Sequence, residues 1–383
     1  MDAPIFQFIG NRIFHGDAPY RDIFDFNMPG TYLVYMLCQF LFGKSDFAFR
    51  FFDLLWLALS CVMIAAIIWR DSRPVAIIMG MLFALYHLGL NMQNMGQRDF
   101  LMVLPLLVGC WSFCRFIDHP KTLRLFISGL SFGFATTIKP TFLPFCALLP
   151  LMFLWRSKLQ ILQFYIASAL SWGINLLWLY ISGGFAAFFD ILIKFLPAYR
   201  TEYSGLRTRW LYDWGLLGWI GFSLLAIGHW KDKRSWVVIL CLLGSFIHVY
   251  AQHKGWKYHL YPLAAFCLVT CGVWLGKLYQ RNIMISALSV ILFSALILSS
   301  RYTDILLLKG LSSYSAKQSK LYNEQIEELL VDAAEQLPEP IQTDFLQAEE
   351  KPVVFCTAPV YGGDLWKTAY QQDWKQLHRN SYI

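Results

Sequence analysis

The chain has 383 residues, 57% of them hydrophobic and 15% charged; its formal net charge is +7 and its mean hydropathy +0.46. So few charges on so apolar a chain exclude a soluble globular protein and a disordered one, and leave a polytopic membrane protein. The positive excess lies mostly in short loops between apolar runs, so it argues for membrane topology and against nucleic acid as a partner.

Residues 1–46 come first. Positions 3–15 read as a short amphipathic helix, and PYRDIFDFNMPG at 19–30 is dense in turn formers and acids. The apolar run 31–42 is too short to cross comfortably and is expected in the membrane interface. Between 47 and 300, about ten stretches approach the ~20 residues that cross a hydrocarbon core. They fall near 47–69, 74–91, 100–117, 123–139, 141–155, 159–182, 214–230, 235–251, 258–276 and 283–300.

The segment 183–213 interrupts that series. A Gly-Gly pair leads into an expected interfacial helix over 185–196, Pro197 ends it, and Arg200, Glu202, Tyr203, Arg207 and Arg209 follow. It reads equally as a gate admitting a lipid-linked substrate from the side and as an aromatic and basic interfacial anchor. From Arg301 the composition turns soluble: 315–336 is helix-like, and VVFC at 353–356 is a short strand without a second clear partner. The fold class that follows is an all-α polytopic membrane protein. It comprises a loop domain 1–46, a helical bundle 47–300 and a small external α/β tail 301–383.

The loops 70–73, 115–124, 156–158, 231–234 and 277–281 hold twelve Lys and Arg in twenty-six residues. The alternate connections spread a similar number over more than three times that length. The first set is therefore expected in the cytoplasm, which puts 1–46, 96–99, 183–213, 252–259 and the tail outside. A chain that starts outside, with no basic n-region or apolar core in its first ten residues, is expected to have one more helix before Met1. Hairpin insertion that drags a short N-terminus across is the alternative. The nine cysteines show no CxxC and no Cys/His cluster, so no metal site and no cofactor is expected.

Two polar runs stand out, GQRDF at 96–100 and QHKGWKYH at 252–259. An arginine, an aspartate, two lysines and two histidines beside lipid cost about several kcal/mol unless a water-filled site uses them. Gln97, Arg98, Gln252, Lys254, Lys257 and His259 are thus candidate binding residues and Asp99 a candidate catalytic carboxylate, with Trp256 shaping the pocket. The competing readings are an Arg98–Asp99 pair that caps a helix and lysines that snorkel at the interface. Lys139, before Pro140, stands at another external helix junction, where it is either structural or lines the cavity.

The loop DAPIFQFIGNRIFHGDAPYRDIFDFNMPG resembles the first external loop of bacterial GT-C glycosyltransferases, the superfamily of protein O-mannosyltransferases and lipid A aminoarabinose transferases. The matching positions are Asp2, Phe8-Ile9-Gly10, Gly16/Pro19/Tyr20/Asp22 and Asp25/Pro29, with Gly43 and Arg50 leading into the next span. QHKGWKYHLYP is similar to the superfamily's Lys-Gly-aromatic-x-Tyr-x-x-x-Pro stretch. The resemblance implies a GT-C-like bundle with external juxtamembrane helices in a bacterial inner membrane, its active site facing the periplasm. It implies transfer of a sugar from a polyprenyl-phosphate donor to a hydroxyl of a lipid, glycan or protein. Asp2 is then the general base and Asp99 the acid that arranges donor or acceptor. Arg98, Lys254, Lys257 and His259 face the phosphate, with Arg200 and Arg207 as further phosphate candidates. Tyr20, Asp22 and Asp25 contact acceptor or order the loop. One departure stands out: relatives often carry a lysine shortly before the loop's proline, where this chain has Asn27. A transporter or flippase of lipid-linked glycans, or a polymerase, is the alternative; a transporter would place its charges at mid-membrane.

Overall fold

A computed structural model describes residues 3–23, 25–90, 96–195, 231–252 and 257–284, with scattered positions to 294. The tail from 301, the expected span 214–230 and most of 283–300 lie outside the described residues, as do Asp2, Lys254, Trp256, Arg200 and Arg207. Every regular element described is helical.

The first loop forms α1 (Ala3–Phe14), a turn, and α2 (Pro29–Phe42). Pro29 opens α2 because its missing N–H is an orphan there in any case. Met28 before it is extended, as a residue preceding proline prefers. α3 (Asp46–Ile68) starts at Ser45, whose side chain accepts from the Ala48 amide at 3.2 Å. α4 (Arg73–Gly89) starts at Ser72 in the same way. The GQRD segment opens α5 (Arg98–Leu101), which runs on into α6 (Val103–Asp118).

Next come α7 (Thr122–Ile138), a 3₁₀ turn (Pro140–Phe142), α8 (Leu143–Leu154) and α9 (Lys158–Ile181). The expected span at 141–155 is thus a turn plus a short helix. The expected interfacial helix after the Gly-Gly pair is α10 (Phe185–Asp190), followed by a wider turn over Ile191–Phe195. α11 (Lys233–Gln252), a 3₁₀ turn (Lys257–Leu260) and α12 (Tyr261–Arg281) complete the described bundle.

Among the described residues, five helical stretches are long and apolar enough to cross a membrane: 47–68, 98–118, 158–181, 233–252 and 257–281. α9 exposes Leu159, Leu162, Ile166, Leu170, Ile174 and Leu177, one stripe at helical spacing that suits lipid. α12 has the opposite character and is buried almost all round, so it forms the axis of the bundle. Packing of α7 on α9 depends on two glycines four residues apart. A Cβ on Gly129 would meet the Phe164 carbonyl and the Ala167 side chain, and one on Gly133 would meet Ser168 backbone. Ser168 and Ser171 donate to the Gly129 and Leu130 carbonyls, both at 2.8 Å, across the same contact.

Charges gather at the two ends of the bundle. At the end carrying the basic loops, Arg234 donates to the Ile67 carbonyl at 2.8 Å and lies 3.8 and 3.9 Å from Asp71 and Asp118. Arg70 reaches Asp118 at 2.7 Å, and Lys277 bonds Asp232 and Ser235. The opposite end carries the first loop and both polar runs. There Gly30 lets α2 approach α7 so closely that a Cβ would overlap Thr137. Gly30→Ala is expected to cost about 1–3 kcal/mol, the usual penalty of overpacking, read as a lower unfolding midpoint in detergent.

Candidate functional site

Asp99 is the centre of this end. It lies in the first turn of α5 and is wholly buried. Its partner is Lys139, whose ammonium donates to both carboxylate oxygens at 2.7 and 2.6 Å. The local sequence explains the reach. Pro140 denies Lys139 a helical conformation, so the chain leaves α7 extended at φ −145°, ψ 115°. The pairing buries Lys139 beside Asp99.

Three more side chains close around the pair. His248 and Gln252, one helical turn apart, face the same way from the end of α11. His248 donates from Nε2 to Asp99 at 2.8 Å, and Thr141 donates its hydroxyl to His248 Nδ1 at 2.6 Å. Gln252 donates from Nε2 to Asp99 at 2.9 Å and accepts from Lys139 on Oε1 at 2.5 Å. His259, from the turn before α12, presents Nδ1 to Lys139 at 3.2 Å; with Nδ1 accepting, the ring proton sits on Nε2. Asp99 is therefore a carboxylate saturated with donors, its charge matched by an ammonium. That arrangement orients its neighbours.

Arg98, the next residue, turns the other way. It donates to Asn27 Oδ1 and stacks its guanidinium over Phe6, 5.4 Å from the ring centre. Arg98 and Asp99, whose alternative reading was a helix-capping pair, bond different partners, Asn27 and Lys139. Asn27, the departure from the family pattern, thus has a definite role. Its side-chain N–H₂ donates to both oxygens of Asp25 at 2.8 Å while its own oxygen receives Arg98. Tyr32 also donates to Asp25, and Tyr20 donates to the Asn27 carbonyl at 2.6 Å. Burial pushes the Asp25 carboxyl up, against the lowering pull of those hydrogen bonds and of Arg98.

Tyr20 is held at φ +67°, a left-handed conformation that a bulky side chain adopts at a cost. Phe188 of α10 packs on its ring at 5.1 Å, and Gly184 lies against the Pro19 carbonyl. The segment after α9 is thereby docked on the first loop. Asp22 stands apart. It accepts from the Ala18 amide and from Arg21, each at 2.8 Å, and the Arg21 hydrogen bonds are the main cause of its lowered pKa.

Of the residues expected from the sequence, Asp99, Gln252 and His259 meet directly, and Arg98, Asp25 and Tyr20 form an adjoining chain through Asn27. Gln97 is buried at the start of α5. Lys257 is exposed, and its backbone carbonyl accepts from Tyr86 at 3.4 Å. His248 and Thr141 were not read as site residues. The signal for His248 was its spacing of four from Gln252 on the helix leading into the second polar run.

Residues 28–182 match the family model described as dolichyl-phosphate-mannose-protein mannosyltransferase. No curated protein and no solved structure matches the chain. The matched stretch runs from Met28 to the end of α9 and so contains Arg98, Asp99 and Lys139. With five helices of membrane-crossing length among the described residues, that match supports what the loop motifs implied, a membrane glycosyltransferase of the GT-C type.

Proposed function

We propose that the protein transfers a sugar from a polyprenyl-phosphate carrier to an acceptor hydroxyl on the outer, periplasmic face of a bacterial inner membrane. Mannose is the sugar, and a protein the acceptor, that the matched family's description names. Asp2 takes the proton from the acceptor hydroxyl as its oxygen bonds to the sugar's anomeric carbon. The bond from that carbon to the phosphate oxygen breaks, and polyprenyl phosphate leaves with the electron pair. A carboxylate base in this role contributes a typical ~10²–10⁴-fold. Positive groups aimed at the phosphate add electrostatic stabilisation; Arg98, Lys254 and Lys257 serve here, with Arg200 from the side, and neutral His259 offers its Nε2 proton as a hydrogen-bond donor. Asp99 is the carboxylate that holds Lys139, His248 and Gln252 in register around them. Tyr20, Asp22 and Asp25 keep the first loop in shape on the acceptor side.

One observation carries this reading above the transporter. The buried ion pairs among the described residues lie at the two ends of the bundle, and the richest cluster joins the first loop's side to both polar runs. A carrier that alternates access needs its ionisable groups near the midplane.

The test is transfer by the full-length protein in vesicles supplied with polyprenyl-phosphate-mannose. Asp2→Asn is expected to abolish transfer and to retain donor binding. Cysteine labels at the exposed positions 44 and 257 are expected to react only with reagents added outside. Full activity of Asp2→Asn, or labelling from the cytoplasmic side, overturns the proposal.

A further inference from the structure

A second polar cluster is buried next to the first and takes no part in the chemistry just described. Asp53 on α3 is wholly buried; its Oδ1 accepts from the Gly96 amide at 2.9 Å and its Oδ2 from His87 Nε2 of α4 at 2.8 Å. On the far side of the ring, the hydroxyl of Tyr261, the first residue of α12, lies 2.8 Å from His87 Nδ1. A neutral imidazole satisfies both contacts, donating from Nε2 and accepting at Nδ1. The ring of Phe100 covers His87 at 4.3 Å and that of Tyr261 at 5.1 Å.

The point gripped is Gly96. It takes φ +62°, and a Cβ there would run into Phe49 and the Tyr35 hydroxyl. Asp53 holds its N–H, and Tyr35 of α2 donates to its carbonyl at 2.6 Å. Both faces of this one residue are therefore fixed, two residues before Arg98 and three before Asp99. Arg98 and Asp99 diverge from neighbouring positions toward Asn27 and Lys139, so a small rotation at Gly96 would misdirect both.

We propose that Asp53, His87 and Tyr261 form a positioning relay that fixes the Gly96 turn and so aims Arg98 at the first loop and Asp99 at Lys139. The relay joins the first turn of α12 to the GQRD segment through three helices. It rests on the reading of Arg98 and Asp99 as site residues, but its geometry is tested apart from activity.

The experiment is hydrogen–deuterium exchange on the full chain in detergent, comparing the parent with Tyr261→Phe and His87→Gln. Tyr261→Phe removes one hydroxyl and keeps the ring, so it leaves the packing intact. The peptide covering 96–101 is expected to exchange roughly 2- to 10-fold faster in both variants, the loss of about one hydrogen bond. Peptides from the middles of α3 and α4 are expected to keep their protection. With polyprenyl-phosphate-mannose as the probe, kcat falls and KM holds. Unchanged exchange at 96–101, or loosening spread evenly over α3 and α4, overturns the relay. Faster exchange at 96–101 in both variants, together with a parent protein that transfers no sugar, upholds the relay and defeats the proposed function.

Discussion

Lys139→Met is expected to destabilise the protein by about 3–5 kcal/mol, the cost of leaving a buried carboxylate without its cation. Asp99 is inaccessible to water and receives both of its short contacts from the Lys139 ammonium. His248 and Gln252 remain as hydrogen-bond donors, but the ammonium is gone. The paired substitution Asp99→Leu with Lys139→Met removes both charges and fills the space. It is expected to recover most of the lost stability, because buried ion pairs often match apolar replacements of similar volume. Transfer is expected to stay lost, since the group that orients His248 and Gln252 is gone. Unfolding midpoints in detergent and transfer rates in vesicles separate the two effects. Equal melting of Lys139→Met and the parent would refute the pairing.

Replacing Gly129 or Gly133 by valine is the second large perturbation. Each new side chain would drive into the backbone of α9 at Phe164 or Ser168, where no rotamer change relieves the clash. Overpacking costs about 1–3 kcal/mol per site, and the serine hydrogen bonds across the contact go with it, so the double variant should lose stability more than additively. The consequence reaches the site, because α7 ends at Lys139 and α9 leads into the segment docked on Tyr20. Crosslinking between cysteines placed on the two helices reads the separation directly. Undiminished crosslinking in the double variant would show that the glycines do not set this contact.

The parts of the fold legible in the sequence were those set by long apolar runs and by punctuation. The amphipathic α1 and the boundaries of α3, α4, α9 and α11 follow from hydropathy and basic loops, while α12 runs five residues past its expected end at 276. The site was legible where polar residues clustered: GQRD and QHKGWKYH announce themselves. It was opaque where single polar residues sit in apolar stretches. Asp53, His87 and His248 each interrupt a hydrophobic window too briefly to change its reading, and only the packing of α3, α4, α11 and α12 brings them to partners. Asn27 was visible as a missing lysine, but its bond to Arg98 joins positions 71 residues apart. The glycine pair of α7 was in plain view and acquires meaning only beside α9.

The order in which the ribosome delivers these pieces bears on the shape of the Asp99 cluster. Asp99 and Lys139 emerge early, while His248 lies more than a hundred residues later in the chain. At about 5–20 residues per second, that gap lasts roughly 5–20 seconds of synthesis. During that wait the early helices must settle in lipid with no help from α11 or α12. A carboxylate gripped on both oxygens by an ammonium cancels its own charge, and so lets the first half of the bundle enter the bilayer before the second half exists.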